Sequence, residues 1–377
     1  MLLFLLKVAT KLSCRNLFFQ FLSLLYRGQG QKIFCDQFSA ESFMENLYTD
    51  RGESSMANNT ISAFPEFDLL IVVPVYNVER FLEPCMDSLV SQKTKYKWHA
   101  CIIDDGSTDS SSEILNKYKL NPNITIIKQK NKGLSGARNA ALNIIKANYV
   151  MFLDSDDVLL EGCIESLLTK AYEGNYDIVE GGYLWFDENG ILRTFEHESL
   201  NSCQENILHG QVWAKLYKAS LFRKTKFPEG YWFEDTINVM ILFREVERVA
   251  TISNVIYGYR KNCESIMSSF KKNYKTIDTY WVTRRLLEDA KRLNLPMDEK
   301  FYEIMMIQLI VNGKRLNSLG DMTLLAAYLV ASKGLMRKYF GNRYQSKNGN
   351  GQLMESILNQ CDYKKMRLAI MFKWDDL

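Results

Sequence analysis

Val150-Met151-Phe152-Leu153-Asp154-Ser155-Asp156-Asp157 runs four apolar residues straight into three carboxylates, with one small serine among them. A short apolar run bounded by turn chemistry predicts a buried strand. The acidic cluster then sits at that strand's carboxyl end, the edge where open α/β sheets bind ligands. Asp154 and Asp156 form an Asp-x-Asp pair of hard oxygen ligands suited to Mg²⁺ or Mn²⁺, with Asp157 beside them. Such a pair holds a metal through few protein ligands and leaves coordination positions for a diphosphate. The same residues also fit a polar turn or a helix N-cap, because an amphipathic stretch begins at Val158. Taken alone, the pair does not decide between these readings.

Working back from the strand Tyr149–Leu153, a helix is predicted over Ala140–Lys146, fed by a glycine-bearing loop, Asn131-Lys132-Gly133-Leu134-Ser135-Gly136-Ala137-Arg138-Asn139. Ile124–Lys128 and Trp98–Ile103 read as strands, the latter running into Asp104-Asp105-Gly106-Ser107-Thr108-Asp109 and a helix over Ser110–Lys119. Leu69–Val73 is a β-branched core strand whose ladder Pro74 stops, and Phe81, Leu82, Met86, Leu89 and Val90 share one face of a helix over Val78–Gln92. Strands alternating with helices through short links predict an α/β fold, a mostly parallel sheet covered on both faces. Three strand ends thus carry polar clusters on one edge. Each cluster by itself also fits a cap or a turn.

Downstream, Ile178–Phe186 reads as a further strand and Val212–Leu221 as a mixed apolar segment. Tyr231-Trp232-Phe233-Glu234-Asp235-Thr236 opens a helix over Ile237–Glu245. Acid at a helix N-terminus is favourable in its own right, so Glu234 and Asp235 also have a purely structural reading. The aromatic run before them fits core, or a stacking surface for a sugar.

In order and at this spacing, Val73-Pro74-Val75-Tyr76-Asn77, Asp104–Asp109, the Asn131-x-Gly133…Ala137-Arg138-Asn139 loop and Phe152–Asp157 resemble family 2 glycosyltransferases of the GT-A fold. The match is dense over residues 69–160 and continues more loosely to residue 267. The resemblance implies that Pro74, Tyr76, Asn77 and Asp105 hold the nucleotide, Asp105 accepting from a uridine-type base, with Gly133 and Arg138 beside it. It implies that Asp154 and Asp156 carry the cation on the donor diphosphate, with Asp157 orienting the cation or the donor sugar. Glu234-Asp235 resembles the family's Glu-Asp motif, whose aspartate is the usual base. Trp213-x-Lys215-Leu216-Tyr217 resembles the segment before that motif, but Ala214 stands where an acidic residue is often found. Tyr257-Gly258-Tyr259-Arg260 followed by Ser265-Ile266-Met267 also resembles a family segment, in which Arg260 would approach the diphosphate; a solvated arginine after an edge strand fits as well.

The expected activity is inverting transfer of a sugar from a UDP-linked or similar nucleotide-sugar donor to a surface glycan or lipid-linked acceptor, with Mg²⁺ or Mn²⁺. Breaking the sugar–phosphate bond leaves negative charge that a cation stabilises. The acceptor hydroxyl must lose a proton, and a carboxylate with an ordinary pKa of about 4 needs burial to become an effective base. Asp235 is the first choice for that base and Glu234 the second. A nucleotidyltransferase would share the sheet, nucleotide and metal, but the usual glycine-rich loop with a following basic residue is missing after Val73. A non-catalytic carbohydrate-binding protein has no need of both acidic pairs.

Composition bounds the rest. The 377 residues are 47% hydrophobic and 24% charged, enough for a substantial core, and the net charge of +3 gives no argument for nucleic-acid binding. Eight cysteines without a Cys-x-x-Cys pair point to free thiols in the cytoplasm, including the inner face of its membrane. His99, His197 and His209 are dispersed and read as structural. Residues 1–66 form a leader in which Met1–Leu6 and Leu17–Leu25 are apolar but interrupted by Lys7, Lys11 and Arg15. Arg51-Gly52-Glu53 just before Met56 is what a translated ribosome-binding site gives, so Met56 is a second candidate start. A catalytic domain is expected over 67–268 and a helical region over 269–377, with helices at Tyr280–Leu293, Lys300–Leu316, Met322–Tyr339 and Gln352–Gln360. The basic, apolar tail Tyr363–Trp374 fits packing on the protein or peripheral association with an anionic membrane.

Overall fold

The computed structural model describes residue 19 and residues 33–202, 207–261 and 273–374. The expected apolar runs of the leader, Phe19 apart, and the segment Ser265–Met267 lie outside them. The chain divides into two compact units, one built from Gly52–Ser265 with Arg285–Leu295, the other from the described residues of 1–51, 266–284 and 296–377.

The larger unit is organised around strand β1 (Phe67–Val75), buried without a break from Leu69 to Val75. A continuous apolar strand of this kind must be covered on both faces. It pairs in parallel with β2 (Trp98–Asp104) on one side and β4 (Ala147–Phe152) on the other, and β3 (Ile124–Lys128) extends the sheet in parallel beyond β2. Helix α2 (Glu79–Val90) covers it through Leu82, Cys85, Met86 and Leu89, a helical stripe. Helix α3 (Ser111–Asn116) is shorter than expected.

Helix α4 (Gly133–Leu142) differs from the sequence reading. The supposed loop Asn131–Asn139 is helical from Gly133, so Arg138 and Asn139 project from a helix and are buried. Apart from Leu142, its buried face is made of Ser, Gly, Ala, Arg and Asn instead of large apolar residues, and this hid its period. Glycine suits the entry, where Gly133 has φ +75°.

Beyond β4 the direction changes. Strand β7 (Lys215–Lys218) lies antiparallel between β4 and β5 (Ile178–Asp187), and β8 (Val249–Arg260) runs parallel to β5. A hairpin strand, β6 (Gly190–Phe195), pairs with β5. Val158–Leu159 makes a two-residue antiparallel clip onto Tyr257 and Gly258 of β8. Gly258 permits this contact, because a Cβ there would stand 2.7 Å from Val158 Cγ2. Helix α5 (Cys163–Gly174) begins after Gly162 and buries Ile164, Leu167 and Leu168 against the sheet. Helix α6 (Thr236–Met240) is one short piece of the expected 237–245 helix.

Part of the leader belongs to this unit. Residues 53–59 run beside residues 222–229: Glu53 N donates to Glu229 O (2.9 Å), Lys226 N to Ser55 O (2.7 Å) and Ala57 N to Lys224 O (2.8 Å). Asn59 Nδ2 donates to Phe222 O (2.7 Å), and Asp289 accepts from the Ser55 backbone (2.7 Å) and from the Ser54 hydroxyl (2.8 Å).

The second unit is helical, as composition indicated. It holds α1 (Gln37–Leu47), the first half of α7 (Asp278–Arg292), α8 (Glu299–Asn317), α9 (Met322–Phe340), α10 (Gly349–Gln360) and α11 (Tyr363–Phe372). Asp36 and Ser39 form a capping box that starts α1, and its Ala40 and Met44 are fully buried. Glu41 accepts from Tyr280 (2.5 Å), and Asp50 pairs with Arg284 (2.8 Å). In the tail, Met366, Ala369, Phe372 and Trp374 pack inside the protein, while Leu368 and Ile370 are partly exposed and Met371 is exposed. No helix among the described residues is long and apolar enough to cross a membrane.

Candidate active site

The acidic turn follows β4 directly, closed by Asp157 N donating to Asp154 O (3.0 Å). It caps no helix, because Val158–Leu159 and Gly162 stand between it and α5. Asp154 and Asp156 are partly exposed, whereas Asp157 is 1% exposed. One Asp157 oxygen accepts from the Tyr257 hydroxyl (2.7 Å) and the other from Arg260 N (2.7 Å). Burial, then the charges of Asp156 and Asp154, push its carboxyl well above the usual range. Asp157, expected among the cation-orienting residues, is held here by one hydrogen bond to each oxygen, from Tyr257 and from the Arg260 backbone. Two partly exposed carboxylates on a tight turn do suit a hard divalent cation.

Arg260 donates from Nε to Asp156 O (2.8 Å), and its guanidinium lies over the rings of Phe186 (4.4 Å) and Phe81 (5.1 Å). The clip of Val158–Leu159 onto β8 is what carries Tyr257 and Arg260 to the turn. Sequence noted the segment but gave Tyr257 no role.

On the other side of β4, Pro74, Tyr76 and Asn77 end β1, and Asp104 and Asp105 end β2, all on the same sheet edge. Asp104 and Asp109 do structural work: Asp104 accepts from Ser107 N (2.9 Å) and Ser112, and Asp109 from Glu79 N (3.0 Å) and Ser111 N (3.0 Å). Asp105 is different. Its Oδ1 accepts from Gln129 (2.7 Å) and Lys132 N (2.9 Å), and its Oδ2 has no hydrogen-bond partner among the described residues. Asn77, at φ +48°, accepts from Thr108 N (2.8 Å) and fixes the loop after β1 against the loop after β2. Tyr76 is half exposed, and the space around Gly133 is open.

Arg138 joins the two acidic motifs. Its guanidinium is buried, donating to Asp154 (2.7 Å) and to Glu234 (2.6 Å), above the ring of Phe227 (5.2 Å). Burial opposes its charge, but the two carboxylates more than offset this and hold it protonated. Burial raises Glu234 above its ordinary value, Arg138 pulls it back, and Asp235 raises it again. Arg138 was expected beside the nucleotide; its hydrogen bonds go to carboxylates. Next to it, Asn139 clamps the acidic loop by exchanging hydrogen bonds with the Phe227 backbone (2.8 and 2.9 Å). Asp235 occupies the N-cap position of α6, yet its side chain makes no cap hydrogen bond and is partly exposed. Of the pair, Glu234 is locked and Asp235 is presented.

The histidines are dispersed in sequence, but two of them meet in space. His99 is structural, stacked on Phe67 at 4.9 Å. His197 and His209, distant in sequence, meet with ring centroids 5.0 Å apart on either side of buried Glu180. Glu180 Oε1 lies 3.0 Å from His209 Nδ1, 3.4 Å from His197 Nε2 and 3.2 Å from Lys215 Nζ. The three ligand-type side chains are close enough to hold a metal, but the fully buried lysine already places a cation on that carboxylate. This is an ion-pair network. Burial pushes Glu180 up, while Lys215 and the two histidines hold it down, to about 2. Burial lowers Lys215, and the charges of Glu180 and Asp235 resist this, which puts Lys215 within electrostatic reach of Asp235. Ala214, where the acidic residue is missing, has φ +57° and is fully buried.

Comparisons with known proteins bear on the family and the fold. Residues 70–233 match the family described as Glycosyl transferase family 2. Glycosyltransferase GlyA of Streptococcus pneumoniae serotype 4 is 36% identical over 211 residues, 51% of this chain and 30% of that protein. The Poly(ribitol-phosphate) beta-glucosyltransferase of Bacillus spizizenii is 32% identical over 199 residues, 50% of this chain and 31% of that protein. The match therefore spans under a third of either relative's length. Among solved structures, S. aureus TarS 1-349 shares the fold with a TM-score of 0.57 at 18% identity, covering 80% of this chain and 89% of that one. In its motifs and its relatives the stretch 70–233 is similar to glycosyl transferase family 2, and it is carried on a GT-A-like fold.

Proposed function

We propose that the chain is an inverting glycosyltransferase that moves a sugar from a nucleotide-sugar donor, UDP-linked by preference, to a glycan or lipid-linked acceptor in surface polysaccharide synthesis. One observation carries the reading: Arg138 holds the Asp-x-Asp turn and the Glu-Asp motif together while Asp235 stays partly exposed beside them. A binding protein needs no such juxtaposition. The relative named for poly(ribitol-phosphate) glucosylation supports a cell-surface polymer as acceptor.

Asp154 and Asp156 would hold Mg²⁺ or Mn²⁺, which when bound stabilises charge on the departing diphosphate. Asp105 offers its unpartnered oxygen to a base N–H, and Pro74, Tyr76, Asn77 and Gly133 line the same edge. Arg260 adds positive charge next to Asp156. Asp235 accepts the proton of the acceptor hydroxyl as that oxygen attacks the anomeric carbon. The bond from that carbon to the phosphate oxygen breaks on the opposite face, and the nucleoside diphosphate leaves. One base and one displacement give inversion. A nucleotide-sugar donor places the reaction in the cytoplasm. The cysteines at 35, 85, 101, 163 and 361 are free thiols, in keeping with that.

The test is release of nucleoside diphosphate from UDP-sugars with Mg²⁺ or Mn²⁺. Asp156→Ala is expected to lose turnover and donor binding together. Asp235→Asn should keep donor binding and lose about 10²–10⁴-fold in transfer, the usual size of a general-base contribution. Pyrophosphate as product, or full activity in EDTA, would overturn the reading. A dead Glu234→Gln beside a fully active Asp235→Asn would move the base to Glu234.

A further inference from the structure

The residues assigned to the nucleotide and cation lie on β1, β2, β4 and the loops that follow them. The strands on the other side of β4 carry a different surface. Trp213, just before β7, lies nearly parallel to two rings of β8, Tyr257 (5.0 Å, 13°) and Tyr259 (5.2 Å, 25°). Trp185 of β5 packs on Tyr259 at 6.4 Å, and Tyr183 meets Trp213 edge-on at 4.8 Å. Tyr257 is the buried anchor, its hydroxyl bonded to Asp157. Trp213, Trp185 and Tyr259 are partly exposed.

A ladder of rings at the margin of a strongly acidic turn calls for a reason. Core packing buries Tyr257 and backs Trp213, Trp185 and Tyr259, yet these three large rings stay partly in water at the margin of the acidic turn. The C–H faces of a pyranose ring are apolar while its rim is a ring of hydroxyls. An aromatic face flanked by carboxylates suits that chemistry. Position selects which sugar. Sheet order sets β7, β5 and β8 opposite the nucleotide strands, with the acidic turn between. A donor bound across β1, β2 and β4 presents its sugar at the turn, so the aromatic strands face the space from which the acceptor must come.

We infer that Trp213, Tyr259 and Trp185 form a stacking platform for a hexopyranose ring of the acceptor. The inference rests on the transferase reading above for the identity of that ring as acceptor, but the platform can be tested without it. The probes are p-nitrophenyl β-D-glucopyranoside and its N-acetylglucosaminide, followed on the full chain by saturation-transfer difference NMR and by transfer from UDP-sugars. Loss of one stacked ring is expected to weaken sugar binding about tenfold. Tyr259→Ala and Trp185→Ala should each raise the acceptor KM by that factor, with donor KM and acceptor-independent donor hydrolysis within twofold of the parent. Tyr259→Phe should restore binding, because the ring and not the hydroxyl does the work. Ring-proton saturation of the probes that is unchanged in both alanine variants would overturn the platform, as would rescue failing with Phe. The two variants stand on different strands, so misfolding of one leaves the other to decide. A parent chain that releases no nucleoside diphosphate from any sugar nucleotide would sink the transferase reading, while the NMR binding comparison would still decide the platform.

Discussion

Glu180 and Lys215 show how a charged pair can hold a site from below. Both side chains are fully buried, and His197, His209 and Lys215 crowd one carboxylate oxygen. Removing one member of such a pair leaves a buried charge uncompensated, at a cost of about 3–5 kcal/mol. Glu180→Gln is therefore expected to lower Tm strongly at pH 7. The pH dependence has a definite sign. The folded pKa of about 2 lies below the ordinary 4.5, so the stabilisation is present above 4.5 and is lost as pH falls towards 2. Thermal melts of the parent should fall steeply across that window, and those of Glu180→Gln should fall less. Parallel curves would show that the pair does not set acid stability.

At the scale of elements, the segment 53–59 bears on the site through the loop it supports. That segment bonds to residues 222–229, and Asn139 clamps Phe227 in the same loop, which leads into Glu234 and Asp235. A chain beginning at Met56 would lose the Glu53, Ser54 and Ser55 contacts, and with them α1, whose Ala40 and Met44 are buried. Read from sequence, such a chain should fold and turn over like the full one. The packing gives the opposite expectation: lower Tm, poorer yield of soluble protein and a weakened transfer rate. Equal Tm and kcat in the two chains would restore Met56 as a sufficient start.

For the whole molecule, the question left by the basic tail is what its apolar side chains cover. Met366, Ala369, Phe372 and Trp374 are buried among the helices of their own unit, and Lys314 donates to the Trp374 carbonyl (2.8 Å). Burying side chains of these sizes contributes on the order of 5 kcal/mol together. Removing residues 363–377 is expected to lower Tm by several degrees. Binding of the full chain to anionic vesicles, carried by the basic side chains alone, should disappear at moderate salt. An unchanged Tm with salt-resistant vesicle binding would mean that the helix leaves the protein for the membrane.

Leu69–Val73, Trp98–Ile103, Ile124–Lys128 and Tyr149–Leu153 were legible as strands because apolar runs that must be buried end abruptly in polar residues. That local contrast alone set the parallel half of the sheet and put Asn77, Asp105 and Asp154 on one edge. Helix α4 was legible only in part, because small and polar residues carry no apolar period. The ion pairs lay out of reach altogether. Arg138 reaches a carboxylate 16 residues away and another 96 away, and Glu180 meets a histidine 29 residues on. Which charges become partners depends on the antiparallel insertion of β7 and on the clip of Val158–Leu159 onto β8, both long-range pairings. Burial follows the same rule: Asp156 and Asp157 are neighbours of identical chemistry, and only the approach of Tyr257 and the Arg260 backbone takes one out of water and leaves the other partly in it.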